Sequence, residues 1–173
     1  HVSTQASTTN WHTVQMWKEL GATRVVAARE VSLADLKEMK DNVDIEIESF
    51  VHGSMCISYS GRCLLSNYMT GNRDANRGQC SQSCRWKYSL VESNRPGEYY
   101  PIEEDEHGTY IFNSKDLCLI HRIPDLYEAG VDSLKIEGRM KSVHYCATVA
   151  KVYRTAIDTY LKEGKDWYVC PEW

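Results

Sequence analysis

The sequence predicts an α/β fold, the later part of a parallel (β/α) TIM-like barrel, on three observations. Apolar strands alternate with amphipathic helices, and each strand closes on polar residues. The unit EAGVDSLKIEGR (128–139) also repeats the order of ELGATRVVAARE (19–30): helix end, glycine, buried strand, charged strand end. About four such strands are legible, whereas a closed barrel takes eight in roughly 250 residues. The chain therefore reads as a truncated piece lacking its opening units, one partial-barrel domain over 1–173. A doubly wound sheet is the alternative, but no GxGxxG follows a strand. At 173 residues and 42% hydrophobic content the chain can bury one core without staples.

Val2 to Gln5 is expected as a short strand. Asn10 caps a helix with an apolar stripe of Trp11, Val14, Trp17 and Leu20, closed by Gly21. RVVAA (24–28) is a buried strand, and Ser32 with Asp35 forms a capping-box start for a helix carrying Leu33, Leu36 and Met39 at helical spacing. Ile45, Ile47 and Val51 mark the next strand. A cysteine-rich, basic insertion is expected over 53–104. Beyond it YIFNS (110–114) is a strand, and Asp116 caps a helix that Pro124 interrupts or restarts. A long helix from about Ser142 to Leu161 follows the last strand, with Val149, Val152, Tyr153, Ala156, Ile157 and Tyr160 on one face.

Seven cysteines, an odd number unevenly spread, and the lack of a secretory leader point to a reducing cytoplasm. Apolar runs such as VVAA (25–28) fall far short of a membrane span, so a soluble protein with no membrane partner is expected. The formal charge of −4 divides into +4 over 62–87 and −8 over the rest. That local excess comes from Arg62, Arg73, Arg77, Arg85 and Lys87, interleaved with Tyr59, Tyr68, Trp86 and Tyr88. Arginine with aromatics suits phosphate contact and stacking on an unpaired base. The alternative is that the cations pair with acids elsewhere and the aromatics pack the insertion.

In a barrel the residues at the carboxyl ends of strands face the active site. Here they are Ser3, Thr4 and Gln5; Arg29 and Glu30; His52; Asn113, Ser114, Lys115 and Asp116; and Lys135, Glu137 and Arg139. Lys115, Asp116, Lys135 and Arg139 form the candidate substrate-binding set, its cations suited to a small carboxylate. Arg29, Glu30, His52 and Glu137 are the candidates for handling protons. Cys56, Cys63, Cys80 and Cys84 lie within 29 residues, with Cys118 further on. Four thiolates complete a zinc tetrahedron or a four-iron cluster. The spacing matches no zinc ribbon of two CxxC pairs. Cys80 and Cys84 would share a face if their stretch were helical. Cys146 reads as a small apolar residue of the last helix and Cys170 as a tail thiol.

Glu48, Phe50, Gly53, Ser54, Met55, Cys56, Gly61, Cys63, Leu65 and Ser66 match the signature of the collagenase-like peptidase family of unassigned catalytic type, number 32 of that type. STQAS (3–7), RDANRGQCSQSCRW (73–86), EDEHGTYIFNSKDLC (104–118) and SLKIEGRMKS (133–142) extend the resemblance over nearly the whole chain, which looks most like the tRNA-hydroxylation branch. The resemblance implies a barrel enzyme whose relatives hydroxylate RNA bases, at the tRNA wobble uridine or in large-subunit rRNA, or assist oxygen-independent ubiquinone hydroxylation. It further implies a four-iron, four-sulfur (4Fe-4S) cluster on four cysteines and prephenate as hydroxyl source. By position Cys56, Cys63 and Cys80 resemble three cluster ligands. The fourth is Cys84, in a local CxxxC, or Cys118, which fits the more distant cysteine of some relatives; zinc at the same thiols is the alternative.

The expected function is thus prephenate-dependent 5-hydroxylation of the tRNA wobble uridine. A collagenase-like endopeptidase and a non-catalytic tRNA-binding module are the alternatives. There is no HExxH and no GxSxG, and a Cys56 committed to metal cannot pair with His52 as a free nucleophile. Unpaired parallel edges of a truncated barrel predict a dimer or larger oligomer with little activity.

Overall fold

The computed structural model describes residues 1–86, 88–101 and 115–171. Lys87, the expected strand YIFNS (110–114) and its end residues Asn113 and Ser114 lie outside them.

Local signals set most helix starts. The Asn10 side chain accepts from Thr13 N at 3.0 Å and opens α1 (Trp11–Glu19). Trp17 donates its Nε1 to Thr8 Oγ1, whereas Leu20 is 71% exposed, so the apolar stripe stops one turn short of the expected end. After β1 (Arg24–Val26), Ser32 and Asp35 close a reciprocal capping box on α2 (Leu33–Asn42), which leads into β2 (Glu46–Gly53). The following segment contains α3 (Leu65–Thr70), 3-10 turns at Ala75–Arg77 and Ser83–Arg85, and a two-residue hairpin of β3 (Ser89–Leu90) with β4 (Tyr100–Pro101). Then come β5 (Leu117–Cys118), α4 (Ile123–Glu128), β6 (Ser133–Glu137) and α5 (Val143–Glu163), the last capped by Ser142.

Three expectations change. Val2 makes a single parallel bridge to Val25, and Thr4–Ala6 is a 3-10 turn because Ser3 caps it and Thr4 turns inward to the Ala27 carbonyl at 3.0 Å. Asp116 caps no helix: it precedes β5, and α4 starts at Ile123 with Pro124 in its first turn, where a missing N–H costs nothing. Cys80 and Cys84 share no helix, since the 3-10 turn begins only at Ser83.

β2 is the hub of the sheet. It pairs in parallel with β1 on one edge (Val26 opposite Glu48) and with β6 on the other (Glu48 opposite Ser133), while β5 pairs antiparallel with His52 and Gly53 beyond β1. Gly53 has φ +101°, and a Cβ there would strike the Glu137 carbonyl, so only glycine lets β2 and β6 close together at this end. The result is a mixed α/β fold with a parallel sheet, as expected of part of an α/β domain. Its described strands do not close a barrel.

The helices cover one face. Val25 and Ile47 pack with Val14, Leu36 and Met39, and Val51 packs with Ile120, Ile123, Leu126, Tyr153 and Ala156. Another set of strand side chains is ionic instead: Glu48 is gripped by Lys135 (2.6 Å), Ser133 (2.9 Å) and Arg24 (3.2 Å). Burial opposes the charge on Glu48, but those donors outweigh it and hold its carboxyl below the usual range. Among the described residues no helix is long and apolar enough to cross a membrane.

Candidate functional site

A cavity of about 350 Å³ opens where the parallel strands end. Arg29 follows β1, Ser54 and Met55 follow β2, and Glu137 and Arg139 follow or end β6; Ser3 and Gln5 enter from the Val2 bridge. The facing wall comes from the loop-rich segment and brings Cys56, Cys63, Cys80 and Cys84 to the same space. Burial pushes the Cys56 thiol up, and the nearness of Cys63 and Cys80 adds to the shift, whereas Arg29 works against it. Cys84 is likewise raised, by burial first and then by Cys56, Cys80 and Cys63, with Arg85 opposing. Cys56 and Cys84 thus each sense other thiols of one cavity. Among the described residues, however, no three His, Cys, Asp or Glu side chains crowd around a point that would suit a single metal ion. Four thiols lining one cavity are a donor set that either a zinc tetrahedron or a four-iron cluster can use.

Hydroxyl groups tie the loops together. Ser60, 1% exposed, donates its Oγ to Glu30 (3.0 Å) and accepts from Arg29 N (3.1 Å) and Thr4 Oγ1 (3.4 Å). Gly61 N donates to Gln5 Oε1 at 3.0 Å. The irregular stretch around Cys80 is fixed by Ser81 N on Ser66 Oγ (2.9 Å) and by Arg73, which donates to the carbonyls of Gln79 and Cys80. Glu137 accepts from Gln82 Nε2 at 3.0 Å and from Arg139 N at 3.1 Å, and the Arg139 guanidinium donates to the Gly78 carbonyl.

A second polar cluster stands behind the cavity wall. Asp116 accepts from Lys141 Nζ (2.6 Å) and Tyr145 Oη (3.0 Å) and pairs with Arg85 (3.5 Å), which also donates to the Met55 carbonyl (2.9 Å). Burial opposes ionisation of Asp116, but Lys141, Tyr145 and Arg85 prevail and keep its carboxyl below the ordinary range; burial and Asp116 together push Tyr145 up to about 12.

The structure separates the candidates. Arg29, Lys135, Glu137 and Arg139 line the cavity with the four thiols; Glu30, His52, Lys115, Asp116 and Cys118 do not. Glu30 is occupied by Ser60, Lys115 is exposed, and His52 sits edge-on to Tyr153 with ring centroids 5.5 Å apart. Cys118 faces His52 across the β2–β5 bridge. Cys146, on α5, donates its thiol to the Gly138 carbonyl. Of the basic candidates, Arg62 and Arg77 are exposed, Arg73 is exposed while bracing the loop, and Arg85 is turned inward to Asp116. Tyr59, Tyr68 and Trp86 are 73%, 84% and 46% exposed, which does not suit packing. Sequence reasoning missed Ser54, Phe50, Ser60 and Gln82 as parts of the site. The strand-end rule would have found Ser54 had β2 been extended through Gly53.

The family described as Peptidase family U32 matches residues 1–173. The chain is 54% identical over its whole length to the "tRNA hydroxylation protein P1" of Bacillus subtilis, covering 40% of that protein, and 44% identical over 91% of its length to the "tRNA hydroxylation protein P" of Escherichia coli, covering 44%. It is 35% identical over 96% of its length to the Escherichia coli "23S rRNA 5-hydroxycytidine C2501 synthase", covering 24% of it. The chain thus spans under half the length of these curated relatives. No solved structure matches it.

Proposed function

The chain belongs to peptidase family U32, and on that premise we propose that it is the cysteine-bearing part of an RNA-modifying hydroxylase, acting at the 5 position of the tRNA wobble uridine. The observation that carries this reading is the convergence of Cys56, Cys63, Cys80 and Cys84 on one cavity at the strand ends. These four would hold a 4Fe-4S cluster, which when bound supplies an electron-transfer or Lewis-acid centre. Prephenate is the proposed hydroxyl source.

The chain's own residues then have separable tasks. Glu137, the carboxylate lining the cavity among the described residues, is oriented by Gln82 and Arg139 N and accepts or returns a proton there. Arg85 ties the Met55 carbonyl, next to Cys56, to its own neighbour Cys84 and keeps the two thiol segments in register. Arg62 and Arg77, exposed like the rings of Tyr59 and Tyr68, give phosphate contacts and stacking platforms for an anticodon loop whose bases are already unstacked. Further strands, if they complete a (β/α) barrel, would cover the open sheet edges.

The geometry gives no support to a Cys56–His52 endopeptidase pair, because His52 does not line the cavity that Cys56 lines. Iron and sulfide analysis of anaerobically purified full-length protein tests the cluster, with about four irons expected; a colourless protein with stoichiometric zinc refutes it. Loss of hydroxyuridine from tRNA in a deletion strain, restored by the wild type but not by Cys84→Ser, tests the function. Purified protein with no activity of its own would favour the tRNA-binding module.

A further inference from the structure

Two buried polar groups of the thiol cavity, Arg29 Nε and Ser54 Oγ, have no hydrogen-bond partner among the described residues. Leaving one buried donor unmade costs about 1–3 kcal/mol, and more when the group is charged. Two such groups on the wall of one cavity mark a place where something else completes them. Ser54 is 6% exposed, so its hydroxyl has little access to bulk water.

Arg29 is held flat and ready. Its guanidinium carbon lies 4.0 Å from the centroid of the Phe50 ring, and its backbone N–H is anchored on Ser60. Among the described residues no carboxylate lies within ion-pair distance of it, whereas the other cations of the cavity are engaged: Lys135 with Glu48, Arg85 with Asp116, and Arg139 with the Gly78 carbonyl. A guanidinium stays charged throughout the physiological range and cannot exchange a proton. The proton-handling role expected for Arg29 therefore does not suit it, and an anion-holding role does.

We infer that Arg29 and Ser54 form a subsite for a small carboxylate inside the thiol cavity, the Arg29 fork taking the carboxylate over Phe50 and the Ser54 hydroxyl meeting an oxygen of the same molecule. This rests on reading the cavity as the active site and deepens that reading. The anion binds beside the thiols themselves, and Arg29, rather than Lys115 or Lys135, determines specificity for it. The volume of about 350 Å³ lies within the range of small-molecule sites.

Calorimetric titration of the full-length protein with malonate, malonamide and inorganic phosphate tests the assignment without RNA. Malonate should bind saturably and the neutral diamide should not. Arg29→Met should weaken malonate about thirtyfold and Ser54→Ala about fivefold, the sizes expected for a charged and a neutral hydrogen bond. Arg29→Lys, which keeps the charge but loses the planar fork, should fall between wild type and Arg29→Met. Unfolding curves and iron content identify any variant that has merely lost its fold. Absence of malonate binding by the wild type, phosphate binding as tight as malonate, or unchanged affinity in folded Arg29→Met each overturns the subsite. Malonate binding that depends on Arg29 in a protein whose deletion leaves tRNA hydroxylation unchanged would instead refute the RNA reading and leave the subsite standing.

Discussion

Replacing Asp116 with asparagine probes the cluster behind the cavity wall. Asparagine keeps the shape and can still accept from Tyr145, but it removes the charge that faces both Lys141 and Arg85. Exposed pairs contribute about 0–1 kcal/mol, and breaking a fully buried pair costs about 3–5 kcal/mol. The three side chains here are 27%, 27% and 17% exposed. An intermediate loss of about 2 kcal/mol follows, or a fall of about 1 M in the urea midpoint for a typical slope. In a cycle with Lys141→Met the effects should be non-additive by at least about 0.5 kcal/mol, because the two groups are in contact. Arg85, released from Asp116, should then hold the Met55 carbonyl less firmly, so the variant should also lose iron faster to a chelator. An Asp116→Asn protein as stable as wild type, with additive Lys141→Met and unchanged iron release, would refute the idea that this carboxylate braces the thiol segments.

Other consequences can be measured alongside. Cys84→Ser should deplete iron and sulfide while Cys118→Ser leaves both unchanged, since only the former lines the cavity. Gly53→Ala should destabilise by more than about 1 kcal/mol in chemical unfolding, because the added methyl meets the Glu137 carbonyl and the backbone is left-handed. Burial lowers the His52 pKa, with Asp116 opposing. The unfolded chain therefore takes up a proton first as pH drops below about 6.5, and stability present above that value declines toward the folded pKa. His52→Gln should flatten stability between about pH 7 and 5 relative to wild type.

Signals confined to a few residues were legible in the sequence. Asn10, the Ser32–Asp35 box and Ser142 each sit at the helix start they announce, because a cap needs only its own next turn. Strand-end logic also placed Arg29, Glu137 and Arg139 where the cavity now lies. Asp116 was misjudged for the complementary reason: its partners Arg85 and Lys141 stand 31 and 25 residues away, and no local pattern reports them. β5, two residues long, shows no periodicity, and its antiparallel pairing with His52 and Gly53 arises only when the chain returns.

The segment carrying the thiols has an interior of alcohols. Ser60, Ser66, Ser81 and Ser83 are each no more than 3% exposed, while Tyr59, Leu64 and Tyr68 point outward. Collapse of oily side chains therefore contributes little to ordering this lobe, in contrast to the two apolar clusters beside the sheet. Its local opening should take far less free energy than global unfolding. On the proposed reading, the sheet and its apolar clusters would form first, and the thiol lobe would stay open to loading until a centre bound to its sulfurs ordered it.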